Sequence, residues 1–280
     1  MPKLRLFAFA DEASPAVDGQ IAAMRRNRLD GLEIRTVDKV NVSDLSLAKA
    51  REVRKKLNDN GLIVWSVGSP IGKIDIERDD SPAHLEKLRR TLEIAEALGA
   101  ENIRLFSFYL PQGANPANYT RQVVDRLGDF LRYAQDAGVT LCHENEKGIY
   151  GDTAARCDEL LRALPALQGV FDPANFIQCH QDTLQAWALL RDRIRYLHIK
   201  DALADGAVAP AGQGVGHVRE ILADFRARGG DAVTIEPHLK VFSGLNALER
   251  AGEESNVGSF CYPTNDAAFD AACAALRALV

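Results

Sequence analysis

The sequence contains no cysteine pair at CxxC spacing, no apolar run of membrane-spanning length, no excess of basic residues and no GxGxxG turn. Each absence removes a class of protein. The five cysteines, Cys142, Cys157, Cys179, Cys261 and Cys273, are odd in number and scattered, which argues against a disulfide framework and for free thiols in a reducing compartment. No stretch approaches the roughly 18 apolar residues of a membrane helix. The N-terminal run MPKLRLFAFADEA is broken by Asp11 and Glu12 before it reaches the length of a secretory core. A cytoplasmic protein with no membrane partner is therefore expected. A net charge of −5, from 34 basic and 39 acidic residues, gives no electrostatic reason to hold a polyanion, so nucleic acid is not expected either. The first apolar run, Leu4–Ala10, lacks the glycine-rich turn of a dinucleotide site, which disfavours an open doubly wound sheet. Linkers, low-complexity tracts and close repeats are also missing, so residues 1–280 are expected to form one domain.

What is present is a long alternation of apolar runs and amphipathic segments. A hydrophobic share of 46% beside a charged share of 26% supplies the core of a soluble globular protein, and 280 residues suffice for a barrel of about 250. Strands are expected at Leu4–Ala10, Gly31–Arg35, Leu62–Gly68, Asn102–Phe108, Val139–Glu144, Gly169–Asp172, Ile194–His198 and Ala232–Glu236. Between them run helices expected at Pro15–Arg28 with Ser14 as cap, at Ser43 or Asp44 to Asn60, and at Ser81–Leu98. Further helices are expected at Pro116–Asp136, Asp152 or Thr153 to Ala163, Gln181–Arg191, His217–Arg228 and Asn265–Leu279. Eight such alternations predict a closed (β/α)8 barrel, the TIM barrel.

Four consecutive strands end in chemistry. VTLCHE closes on Glu144, GVFD on Asp172, IRYLHIKD passes through His198 and Lys200, and AVTIE closes on Glu236. One acidic strand end is commonly a helix cap or a surface group. Four in succession point elsewhere, because a parallel barrel delivers the C-terminal ends of its strands to one mouth. Glu144, Asp172, His198 and Glu236 thus form a candidate metal site, oxygen-rich with one imidazole. That donor set suits one divalent ion, Mn²⁺ first, with Mg²⁺, Co²⁺ or Zn²⁺ as alternatives. An open ion of this kind polarises a carbonyl and stabilises an enediolate, while Glu144 and Glu236, on strands well apart, can serve as acid and base on opposite sides of a substrate.

The segments GVTLCHEN, FDPANF, LHIKDA and EPHL resemble the sugar-phosphate isomerase/epimerase family, which has the xylose-isomerase-like barrel, along essentially the whole chain. The resemblance implies the same four metal ligands and a small-molecule sugar or sugar derivative as substrate. The similar ketose 3-epimerases carry a histidine three residues after the aspartate, where this chain has Asn175. They also carry an arginine soon after the histidine ligand, whereas Ala202–Gly206 has none.

The expected activity is metal-dependent isomerisation or epimerisation. A lyase or dehydratase acting on a keto-sugar or keto-glycoside would use the same ligands but would not conserve mass. An endonuclease IV-like phosphodiesterase would need several zinc ions and a basic face, which six histidines and a net charge of −5 do not supply. A non-catalytic sugar-binding protein would keep its affinity in Glu144→Gln.

Candidate substrate contacts are Glu33 and Arg35 at the end of the second strand, with Asn175, His180, Lys200 and His238 beyond strands six to eight. Arg35 can equally be a structural ion-pair partner, and Lys200 a partner of Asp201. Trp65, Phe106, Phe108 and Trp187 are candidate pocket walls or core residues. PAGQGVG, before the helix at His217, has the form of a loop whose amides could cradle a phosphate. The long segment Leu239–Cys261 is expected to cover the mouth or to meet another copy in a homo-oligomer.

Overall fold

A computed structural model describes residues 3–78, 81–245, 256–257 and 260–280. Eight parallel strands close into a barrel. They are β1 (Arg5–Ala8), β2 (Gly31–Ile34), β3 (Ile63–Gly68), β4 (Asn102–Leu105), β5 (Thr140–Glu144), β6 (Gln168–Phe171), β7 (Ile194–Ile199) and β8 (Ala232–Ile235). Neighbours in the barrel follow the order of the chain, and β1 seals the ring by pairing Arg5 with Ala232 of β8 and Phe7 with Gly31 of β2. The expected fold class is the one observed.

The strands are apolar along both faces because both faces are covered. In β2 and β8 every residue is buried. Inward side chains Phe7, Trp65, Cys142, Val170, Tyr196 and Ala232 pack into one cluster inside the ring. Trp65 stacks on Phe7 with ring centroids 5.2 Å apart, and the guanidinium groups of Arg5 and Arg195 lie 4.3 and 4.6 Å from its ring centre. The barrel interior is thus a packed core, with Trp65 inside it and not on a pocket wall.

The covering helices are α1 (Val17–Arg26), α2 (Leu47–Asp59), α3 (Ser81–Leu98), α4 (Thr120–Ala134), α5 (Ala154–Ala163), α6 (Pro173–Gln178), α7 (Thr183–Leu190), α8 (Val218–Ala227) and α9 (Asn265–Arg277). Several starts differ from expectation for local reasons. Ser14 and Pro15 do not open α1: Ser14 Oγ accepts from Ala16 N at 3.2 Å in a preceding turn, and Asp38 Oδ1 accepts from Val17 N at 3.0 Å. Pro116 opens a short 3-10 turn, Pro116–Asn118, and α4 follows it. The six residues of α6 lie where a loop is expected, because Asp172 caps them by accepting from Asn175 N at 3.0 Å with Pro173 at the first helical position.

Strand β4 ends three residues early. Phe106 N and Phe108 N donate to Ile71 O and Gly72 O, both at 2.9 Å, so the chain leaves the barrel to pair with the loop after β3. Phe108 takes a left-handed φ of 68° there and packs on Phe130 of α4, while Trp187 packs among Phe171 and Phe225 in the helical layer. Of the four aromatic candidates, Phe106 lines a cavity at the mouth. The segment 239–261, expected to cover that mouth or to meet another copy, lies partly outside the described residues. No helix among the described residues is long and apolar enough to cross a membrane. Cys142, Cys157 and Cys273 are buried free thiols.

Candidate active site

Strands β5 to β8 bring Glu144, Asp172, His198 and Glu236 together at the mouth. One donor atom from each lies within 4.8 Å of all the others, and all four residues are buried. Asp172 and Glu236 each follow the last residue of a strand, Glu144 ends its strand, and His198 points inward one position before the end of β7. Two ligands held about 2.1 Å from one ion stand about 3.0 to 4.2 Å apart, so donor atoms within 4.8 Å of one another need a small closure to coordinate.

Each ligand is held by a neighbour. His198 Nδ1 lies 2.8 Å from Glu144 Oε1, and its Nε2 lies 3.0 Å from Glu33 Oε2. Glu144 Oε2 faces Arg104 Nε at 3.2 Å. Asp172 spends one oxygen on the α6 cap, while its Oδ2 accepts no well-aligned hydrogen bond and faces Lys200 Nζ at 2.9 Å. Lys200 also donates to Glu236 Oε2 at 3.0 Å, and Arg35 donates to Glu236 Oε1 at 3.2 Å.

The electrostatics follow from burial set against these charges. Burial alone would keep His198 neutral, but the carboxylates of Glu144 and Glu33 outweigh it and raise its pKa well above the ordinary value. Burial also works against the Lys200 ammonium, and Asp172 and Glu236 reverse the balance so that it stays charged. Asp172 is pushed up to about 7, burial overcoming the pull of Lys200. Glu236 is held well below the usual carboxylate range, Lys200 and His238 overcoming its burial.

The donor set fits a divalent ion on two counts. Asp172 Oδ2 is a buried carboxylate oxygen aimed into the cluster, 2.9 Å from the Lys200 ammonium but with no well-aligned hydrogen bond. Charge points the same way: three ligand carboxylates with Lys200 and one divalent ion sum to zero when His198 is neutral.

The residues expected at the substrate divide by their surroundings. Glu33 is fully buried beneath the imidazole, with Oε1 accepting from Tyr196 at 2.9 Å and Oε2 facing His198, so it lies behind the ligands and not in the mouth. Asn175 also serves the ligands, donating to Asn145 O at 2.9 Å and to Glu144 Oε1 at 3.5 Å. Arg35 grips Asp11 through two bonds of 3.0 and 3.1 Å and reaches Glu12 at 3.2 Å, while its guanidinium borders the mouth. His238 has a left-handed φ of 43° and donates its backbone N–H to Glu12 Oε2 at 2.7 Å. Its buried Nδ1 lies 3.3 Å from Glu12 and 3.5 Å from Glu236. His180 is exposed beyond α6 and joins neither the cluster nor the described cavity lining.

Two expectations need correction. Lys200 does not pair with Asp201, because successive residues at a strand end point to opposite sides. The PAGQGVG loop holds no external phosphate either, since Asp201 fills its cradle. Asp201 Oδ2 accepts from Gly212 N at 2.9 Å and Gly214 N at 3.0 Å, and Oδ1 accepts from Gly216 N and Ala202 N, each at 2.9 Å. A Cβ on Gly214 would lie 2.4 Å from Asp201 Oδ1 and 2.2 Å from Ala202 O, so glycine is required there.

Asp11, Glu12 and Arg104 are site residues that the sequence reading passed over. All three lie at the mouth ends of β1 and β4, where the barrel rule that found the ligands applies equally.

The comparisons with solved structures agree with this geometry at the level of fold. The IolI protein, solved with a zinc atom, matches at 16% identity with a TM-score of 0.77, over 99% of this chain and 98% of its own. The 3-keto-D-glucoside 4-epimerase YcjR from E. coli matches at 17% and 0.71, over 99% of this chain and 100% of its own. The probable 3-DHS dehydratase AsbF from Bacillus anthracis matches at 16% and 0.73, over 98% of both chains. No curated protein sequence matches. The family model named xylose isomerase-like TIM barrel spans residues 21–255, most of the chain including all four strand-end ligands, and the protein belongs to that family.

Proposed function

We propose that this protein is a divalent-metal-dependent isomerase or epimerase of a sugar or sugar derivative. It would act as a single cytoplasmic domain, with Glu144, Asp172, His198 and Glu236 holding the ion. The observation that carries the reading is the convergence of three buried carboxylates and one imidazole at the mouth of a barrel whose interior is otherwise packed. A bound divalent ion, Mn²⁺ on the oxygen-rich donor set, supplies Lewis-acid polarisation of a substrate carbonyl.

The chain's own residues supply the proton chemistry. Glu144 and Glu236 stand on strands separated by β6 and β7, and so can face a substrate from two sides. Glu236 is held ionised by Lys200 and His238, so it is unprotonated and can accept a proton from carbon next to the carbonyl. Lys200, 3.0 Å from that carboxylate, is placed to stabilise negative charge developing on a substrate oxygen. Glu144, oriented by His198, Arg104 and Asn175, would deliver a second proton, drawn from solvent, to the other face or to the adjacent carbon, and Glu236 would release the abstracted proton to solvent. Asp172 is fixed by its bond to the α6 amide and keeps one oxygen for coordination.

The test is incubation of the manganese-loaded protein with candidate ketoses in D₂O. Deuterium entering the carbon next to the carbonyl at conserved substrate mass, and absent in Glu144→Gln and Glu236→Gln, supports the reading. Loss of water from the substrate would favour the dehydratase chemistry that the same residues allow. No exchange by a metal-loaded wild type would overturn both.

A further inference from the structure

The ligand cluster holds a cation of its own. Lys200 Nζ lies 2.9 Å from Asp172 Oδ2 and 3.0 Å from Glu236 Oε2, and the lysine is 7% exposed. Those two oxygens are the ones their carboxylates keep for coordination. Asp172 Oδ1 is committed to Asn175 N at 3.0 Å, and Glu236 Oε1 to Arg35 Nη1 at 3.2 Å. Lys200 therefore stands on the same pair of oxygens that the candidate metal site draws from β6 and β8.

Charge decides whether both cations can stay. An ion about 2.1 Å from these oxygens and an ammonium about 3 Å from them would be separated by at most about 5 Å. Like charges at that range in a buried site repel strongly, and the ammonium is the mobile one, a point charge on a flexible four-carbon stem. The neighbouring arginines lack that freedom. Arg35 is fixed by Asp11 through bonds of 3.0 and 3.1 Å, and Arg104 donates to Ser69 O at 3.1 Å. A receiving group is at hand. Glu146 follows the ligand Glu144 by two residues, lies outside the ligand set and pairs with Lys73 at 3.2 Å, and its charge also favours the Lys200 ammonium.

We infer that Lys200 is a built-in stand-in for the metal: it holds Asp172 and Glu236 together in the protein without metal, leaves their oxygens when an ion binds, and moves toward Glu146. Lys200 is thus a positioning residue for the metal site, and ion and ammonium contend for one place. The apparent metal affinity is lowered by the share of molecules in which the ammonium still sits there. The inference rests on the metal-site part of the isomerase reading, and neither the sugar nor turnover enters it.

The test is a pair of crystal structures of the full-length protein, metal-free and manganese-loaded, with calorimetric titration of manganese into wild type and variants. In the loaded crystal Lys200 Nζ should stand beyond hydrogen-bond reach, about 3.5 Å, of Asp172 Oδ2 and Glu236 Oε2 and closer to Glu146. Lys200→Met should bind manganese about tenfold or more tighter than wild type, because no ammonium contends for the oxygens. Glu146→Gln removes the receiving carboxylate and should weaken binding about threefold or more. In Lys200→Met/Glu146→Gln that loss should vanish, which separates a role through the lysine from a direct pull of Glu146 on the ion. An ammonium still on both oxygens beside a bound ion, no gain of affinity in folded Lys200→Met, or an equal Glu146→Gln loss in both backgrounds would overturn the inference. The wild-type crystals decide the matter even where Lys200→Met does not fold. Manganese bound with Lys200 in place sinks only the displacement. Manganese bound by Lys200→Met and not by wild type upholds the contention and sinks the isomerase reading, and binding by neither sinks both.

Discussion

His198 and Glu33 meet through a 3.0 Å contact between Nε2 and Oε2, and neither side chain has any solvent exposure. An ionised carboxylate accepts and does not donate, so Glu33 holds a proton on Nε2, and a bound divalent ion would replace the proton that Nδ1 shares with Glu144. Glu33→Gln can present an N–H to the ring and invert that tautomer. Manganese affinity should fall about 10- to 100-fold, the usual cost of losing a carboxylate behind a metal-bound histidine. Calorimetric titration of metal into the two proteins checks this, and unchanged affinity would show that Glu33 does not set the ring.

Lys200 bridges Asp172 and Glu236 from inside the site, 7% exposed. Lys200→Met leaves two buried carboxylates facing each other. In the presence of a chelator the variant should lose about 3–5 kcal/mol of stability in urea, the cost of breaking a buried ion pair from one side. Saturating manganese should recover much of that loss. Equal unfolding midpoints for variant and wild type without metal would argue that Lys200 is not needed to hold the carboxylates.

Asp201 is the acceptor for four backbone amides, three of them from the glycine loop. Replacing it with alanine should destabilise the protein by about 3 kcal/mol or more, since each stranded buried donor costs about 1–3 kcal/mol. Asp201→Asn keeps one acceptor oxygen and should fall between the two. Amide exchange at Gly212, Gly214 and Gly216 reports the effect directly, and protection that survives in Asp201→Ala would contradict it.

Asp224 gives an acid-side signal away from the site. Its Oδ2 accepts from Arg228 Nε and from Trp187 Nε1, both at 2.8 Å, and these two donors, Arg228 the stronger, hold its carboxyl below the usual range. The stability this confers is complete above the unfolded carboxylate value of about 3.9 and is lost as pH falls through the lower folded value. The fluorescence of Trp187 and the melting temperature should therefore change together in that window. Asp224→Asn should flatten the response, and an identical pH profile in that variant would rule the linkage out.

Much of this architecture is legible in the sequence because its signals are local. A short apolar run ending in Glu, Asp or His stands out, and chain order equals barrel order, so four such runs necessarily share a rim. The partners of those residues are harder to read. Whether Glu33 faces inward depends on a register irregularity between Leu32 and Glu33 in the β2–β3 pairing, which no periodicity reveals. Arg104 lies within an apolar strand and reads as a surface charge until the ring is closed. Asp11 and Glu12 mark the end of an apolar run, and only the 3-10 turn at Ala10–Glu12 places them against Arg35. The glycine loop has the form of a site for an external anion, and a residue of the chain itself, Asp201, supplies that anion.

The ring order also divides labour between the two halves of the polypeptide. All four ligands and Lys200 come from β5 to β8 and the residues just after them, while Glu33, Arg35, Arg104, Asp11 and Glu12 all come from β1 to β4. A fragment starting near Gly138 would carry every donor atom yet lack the Glu33 carboxylate behind the imidazole and the arginines that pair with Glu144 and Glu236. The two seams where the halves meet, β4 on β5 and β8 on β1, therefore act as an assembly checkpoint: tight ion binding becomes available only after both have closed, so metal uptake during refolding would time ring closure and not the formation of either half.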